Sequence, residues 1–476
     1  MTYPNILVLD YLRKTKQIKP ELQMKAEGYT NSGYQQVLTY EVKGGGFSWF
    51  GDAPAHKVLT AYGIIMFDDM SKVHHVDPNI ITRTQNWLAN LQKADGSWEV
   101  DKGGIAEGII DRQNDVLRVT AYLTWALAET GYKGPQLQKA AHYIAAHLSG
   151  VQDAYALAVI ANALVTVDKN SDEAGRALEK LVERKTEEAR VAYWKSAAPT
   201  FTGAQSESAD IETTGLAAYA LLRSGRYGSL ANKVLTYLVQ KKDPQGTWGS
   251  TQATVWSLRA LLAGMESAAG DTNGEVIVRI NDKQAAAFAI TPQDADVMRQ
   301  VELKDHVREG KNEVEIKFSG KGSALYGISS KYYLPWQGIK GGGEGDAQPL
   351  DVDVNYDRTE LAVNDLVTCR VKVTNRKRLA ANMVIVDLGV PPGFEVQAED
   401  LAELVGSKKI EKFSLTGRQV IIYLDVVKPG QTITFDYRLK AKFPLKAKTP
   451  KSAVYEYYTP KIRSESKPVA MVVRKV

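Results

Sequence analysis

A short device recurs in the chain and limits what it can fold into. Gly46-Phe47-Ser48-Trp49, Asp95-Gly96-Ser97-Trp98 and Gln245-Gly246-Thr247-Trp248 each place an aromatic residue just after a glycine turn. Each also stands ahead of an apolar stretch. Glycine permits the sharp turn, and the aromatic is expected to wedge between neighbouring helical hairpins. In Val58–Phe67, Val116–Ala128, Ala154–Val165, Thr213–Leu222 and Gln252–Ala263, Ala, Leu and Tyr recur at three- and four-residue spacing. Several of these windows are apolar nearly all round, so such helices must be buried on more than one side. Hairpins repeated around an axis at irregular long intervals predict an α/α toroid over residues 1–268.

After Gly270 the period changes from helical to two. Glu275–Ile280 and Asn312–Lys317 alternate polar with apolar residues, as half-buried strands do. Gly341–Gly345 reads as a linker or wide turn. Beyond it Leu361–Val373, Asn382–Leu388, Gln419–Val426 and Thr432–Ala441 read as strands, with Pro391-Pro392-Gly393 and Pro429-Gly430 as turns. Only Glu399–Val405 reads as a helix there. The expected fold class is multidomain α + β: the toroid, a small β-domain over 269–338, and an antiparallel β-sandwich over 339–476.

Composition removes several function classes. A chain of 476 residues exceeds one hydrophobic core, so two to four domains are expected. The net charge of +5 is small for this length, and Lys and Arg are scattered among acids instead of forming the basic stripe of a nucleic-acid binder. Cys369 is the only cysteine, which rules out an internal disulfide and a cysteine-rich zinc site. Neither disulfides nor an Asn-x-Ser/Thr acceptor occurs, which points towards a bacterial source. No apolar run reaches membrane-span length, and the first residues lack the pattern of a signal peptide.

The segment Trp87–Trp98 fits the Gln-x3-Gly-x-Trp repeat of terpene cyclases as well as motifs of the thioester domain of alpha-2-macroglobulin and complement. A cyclase needs a buried Asp-x-Asp-Asp cluster, and none occurs in the first 265 residues; Asp68-Asp69 stands where a helix should end. Protein prenyltransferases need a zinc-ligating Cys in the toroid, whereas Cys369 lies in the β region. Other landmarks favour the thioester proteins. Pro4–Leu12 looks like the helix directly after the family's thioester, and Gly28-Tyr29 with Gly33-Tyr34-Gln35 is similar to the next one. Leu59-Thr60-Ala61-Tyr62 matches a Leu-Thr-Ala-aromatic signature, and Ser250-Thr251-Gln252 closes a segment like Gly-Gly-Phe-Ser-Ser-Thr-Gln. Val420–Asp425 and Val454–Tyr458 look like the receptor-binding domain. The chain thus resembles the C-terminal half of a bacterial-type alpha-2-macroglobulin, with landmarks in family order along nearly its whole length.

That resemblance implies a protease trap and not an enzyme, with no cofactor. In the family a Cys-Gly-Glu-Gln-type motif forms an internal thioester that acylates amines or hydroxyls once exposed. No Cys-x-x-Gln occurs here, and counting back from Pro4 places the motif just upstream of Met1. The position of the complement histidine falls on Ala106, so an intact parent is expected to be attacked directly by amines such as lysine side chains. None of the six histidines substitutes for it, and His74-His75 reads as a helix-end or loop pair. Tyr3 and Tyr11 are candidates to line the thioester pocket. On the receptor-recognition helix the family's two lysines are replaced by Ala398 and Ala402, with Lys408, Lys409 and Lys412 nearby. The β-domain is split in the family, so 271–336 supplies only its later strands and is expected to be the least stable region, with unpaired sheet edges. Expected partners are proteases and the upstream macroglobulin domains of an extracellular or periplasmic parent, with no nucleic acid and no membrane span. Two alternatives stand beside the trap: a non-covalent binding or scaffold protein on the same fold, and a toroid enzyme with paired acids in a central cavity.

Overall fold

The computed structural model describes residues 2–14, 20–48, 51–101, 115–243, 247–268, 272–294, 299–322, 324, 326–330, 349–457 and 463–475. Ala106, Trp49, Gln245-Gly246 and the Gly341–Gly345 linker lie outside them. Two compact units are distinguished, residues 1–329 and 330–476.

The first unit begins with eleven α-helices among the described residues: α1 (Thr2–Lys14), α2 (Pro20–Leu38), α3 (Lys57–Ser71), α4 (Pro78–Asn90), α5 (Val116–Glu129), α6 (Gln136–His147), α7 (Ala154–Asp168), α8 (Asp172–Glu183), α9 (Ser206–Ser224), α10 (Gly228–Gln240) and α11 (Thr251–Ala268). Side-chain caps open several of them, Asp115 accepting from Arg118 N–H and Asp153 from Ala156 N–H. The odd-numbered helices form an inner ring. Helix α3 packs on α5, α5 on α7, α7 on α9 and α9 on α11, and α1 closes the circle against α11 and α3. Each even-numbered helix covers the inner helix before it.

Burial follows this division. Every residue from Ala154 to Val165 on α7 is buried, whereas α8 buries only one stripe through Ala174, Ala177, Leu178 and Leu181. Helices apolar all round are therefore those enclosed by the ring. Gly215 lets α9 approach α11 closely, since a Cβ there would lie 2.9 Å from the Trp256 carbonyl carbon.

The turn-plus-aromatic device has one consistent geometry. Backbone N–H groups of Phe47, Trp98 and Trp248 donate to the hydroxyls of Thr60, Thr120 and Thr254, each on the following inner helix, at 2.8, 3.0 and 3.1 Å. The indole N–H of Trp98 donates to the Leu88 carbonyl and that of Trp248 to the Leu238 carbonyl, both at 2.7 Å, at the end of the preceding outer helix. Trp194 repeats the pattern with Thr214 at 3.1 Å and the Leu181 carbonyl at 2.7 Å, although no glycine precedes it. At Trp98, Trp194 and Trp248 the aromatic is thus a two-ended staple from outer to inner helix, whereas Phe47 makes the inner-helix bond alone. Gly96 holds φ +91°, and a Cβ there would meet the Lys139 carbonyl oxygen at 2.4 Å.

Three strands complete the first unit: β3 (Asn273–Ile280), β4 (Lys283–Ile290) and β5 (Val314–Lys321), in antiparallel order β4-β3-β5; the two-residue strands β1 (Thr186–Glu187) and β2 (Ala192–Tyr193) pair between α8 and α9. Strand β5 begins two residues later than the alternation beginning at Asn312 implied. Asn312 instead caps the preceding turn, its side chain accepting from Arg308 N–H and donating to the Arg308 carbonyl. Val276, Val278 and Ile280 bury one face of the central strand, while β4 and β5 have no buried residue.

The second unit is an antiparallel sandwich. One sheet orders β10 (Phe394–Val396), β13 (Thr432–Ala441), β8 (Leu366–Asn375) and β6 (Leu350–Tyr356); the other orders β11 (Lys412–Leu415), β12 (Gln419–Val427), β9 (Ala381–Gly389), β15 (Ala453–Glu456) and β16 (Arg463–Glu465). A third, small sheet joins β14 (Leu445–Lys448), β17 (Ala470–Arg474) and β7 (Glu360–Ala362). The expected single strand over Leu361–Val373 is broken at Asn364, whose φ of +75° turns the chain between β7 and β8. The expected helix is present as α12 (Ala398–Gly406), which buries Leu401.

Candidate functional site

Charge is scarce inside the ring, so each buried charged group there is informative. Arg259 on α11 is 6% exposed and reaches two carboxylates, Asp69 near the end of α3 and Glu129 at the end of α5. It is ion-paired with Asp69 and donates to Glu129 at 3.1 Å and to the Tyr219 hydroxyl at 3.2 Å. Tyr219 donates to Glu129 at 2.8 Å, and Arg223 closes the same carboxylate from α9. Burial alone would raise both carboxyls, but Arg259, with Lys72 at Asp69 and Arg223 at Glu129, holds them below their ordinary values.

Tyr3 belongs to this network. It is 2% exposed, its hydroxyl donates to Asp69 at 2.7 Å, and its ring meets Tyr62 edge-on at 5.5 Å. The first turn of α1 is therefore fastened to α3 and α11. Tyr11, two turns further along α1, is half-buried.

Towards the N-terminal ends of α3, α5, α7, α9 and α11 these helices border a partly open cavity of about 140 Å³. Tyr62, Tyr122, Tyr155, Phe201 and Trp256 form much of its wall, and Glu212 of α9 is the one carboxylate among its described lining residues. Glu212 is 1% exposed and accepts from Tyr155 at 3.0 Å; its Oε2 meets no donor in good hydrogen-bonding geometry among the described residues. Burial raises this carboxyl, the Tyr155 and Thr200 hydroxyls and the Arg118 charge oppose it, and the balance lies at about 7. Arg118 sits over the Tyr155 and Phe201 rings at 4.5 and 4.7 Å and donates to the Pro199 carbonyl at 2.8 Å.

Of the residues singled out from sequence, Tyr3 thus joins the ring interior through α1. Ala398 and Ala402 lie one turn apart on α12, Ala402 exposed. His74 packs edge-on against Tyr34 at 5.4 Å. Glu212, Arg118, Arg259 and Glu129 were not singled out. Arg118 and Arg259 are lone charges within windows otherwise apolar, whereas Glu129 and Glu212 stand just outside the edges of theirs.

Similarity to known proteins covers the same two regions. The family model of the A-macroglobulin TED domain matches residues 1–263, and that of the A-macroglobulin receptor binding domain matches residues 379–467. Ovostatin of Gallus gallus is 25% identical over 473 residues, which is 96% of this chain but 31% of ovostatin. The chain therefore spans less than a third of that relative's length. Native Escherichia coli alpha-2-macroglobulin superposes with a TM-score of 0.65 at 16% identity, over 99% of this chain and 29% of that one. Salmonella alpha-2-macroglobulin reacted with methylamine gives 0.65 at 15% identity, with the same coverage of 99% and 29%. An E. coli fragment running from domain MG7 to the C-terminus gives 0.62 at 15%, over 99% of this chain and 72% of the fragment. At these identities the structures speak for the fold alone, and that fold is the expected one, a helical toroid followed by antiparallel β domains.

Proposed function

The chain belongs to the A-macroglobulin family, and we propose that it is the C-terminal part of an alpha-2-macroglobulin-like protease trap whose toroid houses a thioester carried upstream. The observation that carries this reading is the co-linear order of the matched regions, toroid at 1–263 and receptor-binding domain at 379–467, on a chain that lacks Cys-x-x-Gln. These residues would be the housing and not the reactive group, and the chain would not act as an enzyme.

The fastening of α1 gives the housing a physical role. A reactive segment running directly into Thr2 would inherit the position fixed by Tyr3, Asp69 and Arg259 at the ring interior. Tyr3 would serve the pocket by holding α1 and by backing Tyr62; Tyr11 remains a second candidate on the same helix. With Ala106 at the complement histidine's position, the acyl group would pass directly to an amine, without an acyl-imidazole intermediate. The partners would be proteases and the parent's upstream macroglobulin domains, outside the cytoplasm.

We place the domain boundaries near 268 and 338. Strands β4 and β5 would gain their missing neighbours from a segment preceding the toroid, leaving this sheet the first part to open without it. Ala398 and Ala402 argue against the animal receptor-binding mode for the last domain.

The test is to sequence the gene upstream of Met1, express the full parent, and measure methylamine-triggered thiol release together with retention of an added protease. Upstream sequence without Cys-x-x-Gln, or a parent that releases no thiol, would overturn the thioester part. A parent that releases thiol yet retains no protease would overturn the trap.

A further inference from the structure

Lysine is unevenly spread over the second unit. Residues 437–455 hold five lysines and one arginine with no acid between them, so the scatter seen along the whole chain does not extend to this stretch. At one end of the sandwich three loops converge: the Asn364 turn, Pro391–Gly393 and the link from β13 to β14. Asn364 N–H donates to the Ala441 carbonyl at 2.8 Å, and Lys442 N–H to the Gly393 carbonyl at 2.9 Å. The link carries Phe443, 64% exposed, next to Pro444, which is exposed as well. Pro392 on the neighbouring loop and Leu366, opposite Lys440 in the ladder, add further exposed apolar surface. Lys446 and Lys448 follow on β14, both exposed, in register with Val472 and Ala470 of β17.

The carboxylates at this end are already engaged. Glu395 pairs with Lys442 at 3.0 Å, Glu360 pairs with Arg474 at 2.8 Å, and Asp365 accepts from Ala362 N–H at 2.9 Å. Lys446 and Lys448 form no ion pair among the described residues. Lysines on an edge strand such as β14 also discourage pairing between molecules. That role accounts for Lys446 and Lys448 but not for Phe443, whose exposure works against it.

We propose that this end of the second unit docks on an anionic lipid bilayer, with Phe443 entering the headgroup layer and Lys446 and Lys448 meeting lipid phosphates. Charge complementarity calls for an anionic partner, and the apolar tip selects a bilayer over a phosphate chain in water. In the headgroup layer the ring leaves water while the flexible lysine stems reach past it to the phosphates. The association is peripheral, and among the described residues no helix is long and apolar enough to cross a membrane.

The experiment sediments the 476-residue chain with vesicles of phosphatidylcholine and phosphatidylglycerol in equal parts, and with vesicles of phosphatidylcholine alone. Saturable binding to the anionic vesicles is expected, with little to the neutral ones, and it should weaken as salt is raised to about 0.5 M. At about fivefold per lysine near an anionic surface, Lys446→Gln with Lys448→Gln should weaken binding about twentyfold. Phe443→Ala should weaken it about tenfold. Arg378→Gln with Lys428→Gln removes the same charge at the opposite ends of β8 and β13 and should change nothing. Each variant is read at an unchanged melting temperature; should the lysine pair destabilise the fold, Lys446→Gln alone gives the same reading at about fivefold. No binding to anionic vesicles, equal binding to neutral ones, or undiminished affinity in the lysine variant would each overturn the proposal. So would a control variant that weakens binding as much, which marks diffuse attraction. Affinity unchanged in Phe443→Ala would reduce the surface to a plain polyanion site and overturn the bilayer. Every outcome is read on this chain alone, so it is separate from whether the parent carries a thioester.

Discussion

Replacing Arg259 with methionine removes the one cation shared by two buried carboxylates while nearly preserving side-chain volume. Asp69 and Glu129 are 8% and 11% exposed, so water cannot take over the charge. Breaking a buried pair by removing one partner costs about 3–5 kcal/mol. The total should stay in that range and not double, because Lys72 still reaches Asp69 at 2.8 Å and Arg223 still pairs with Glu129. At about 2–4 °C per kcal/mol for a domain of this size, the toroid should melt roughly 6–20 °C lower.

Tryptophan fluorescence is a suitable probe, since seven of the eight tryptophans precede residue 269. The loss should also depend on pH. In the native chain both carboxyls are held below their unfolded values, so their stabilisation is present at neutral pH and fades as pH falls through those low folded values. In the variant, burial without Arg259 pushes them above the unfolded values, a penalty felt at neutral pH and relieved below about pH 4. The gap between the two proteins should therefore be widest near neutrality and narrow on acidification. A shift under about 2 °C, or a gap that does not change with pH, would refute the reasoning.

Three further outcomes are expected. Glu212→Gln should be more stable than the native chain at pH 8, by up to about 3 kcal/mol, with the gain vanishing towards pH 4.5, because a folded value of about 7 makes ionisation unfavourable only above the unfolded value; urea titrations at the two pH values check it. Thr120→Val should cost about 1–3 kcal/mol by leaving the buried Trp98 N–H without its acceptor, and Trp98→Phe a similar amount through the Leu88 carbonyl; loss of both effects in urea denaturation would remove the staple's energetic role. Cys369 is fully buried and its thiol is pushed up to about 11, so a thiol reagent at pH 8 should label it only on unfolding.

The sequence by itself determined the architecture. Apolar-all-round helices, the glycine-aromatic device and the switch to period two at Gly270 each follow from local chemistry, and each corresponds to an element of the fold. It also gave the absence of Cys-x-x-Gln, which no structure can alter. Boundaries blurred where capping or a turn decided them, as at Asn312 and Asn364. The interior site belonged to the tertiary structure. Asp69, Glu129 and Arg259 are up to 190 positions apart, and nothing local links them; only ring closure by α1 places them on one network. Glu212 looked like the polar edge of an apolar run starting at Thr213, whereas α9 starts at Ser206 and buries it. Periodicity shows which face of a helix is apolar, but where two such faces meet around an enclosed space is set by packing alone.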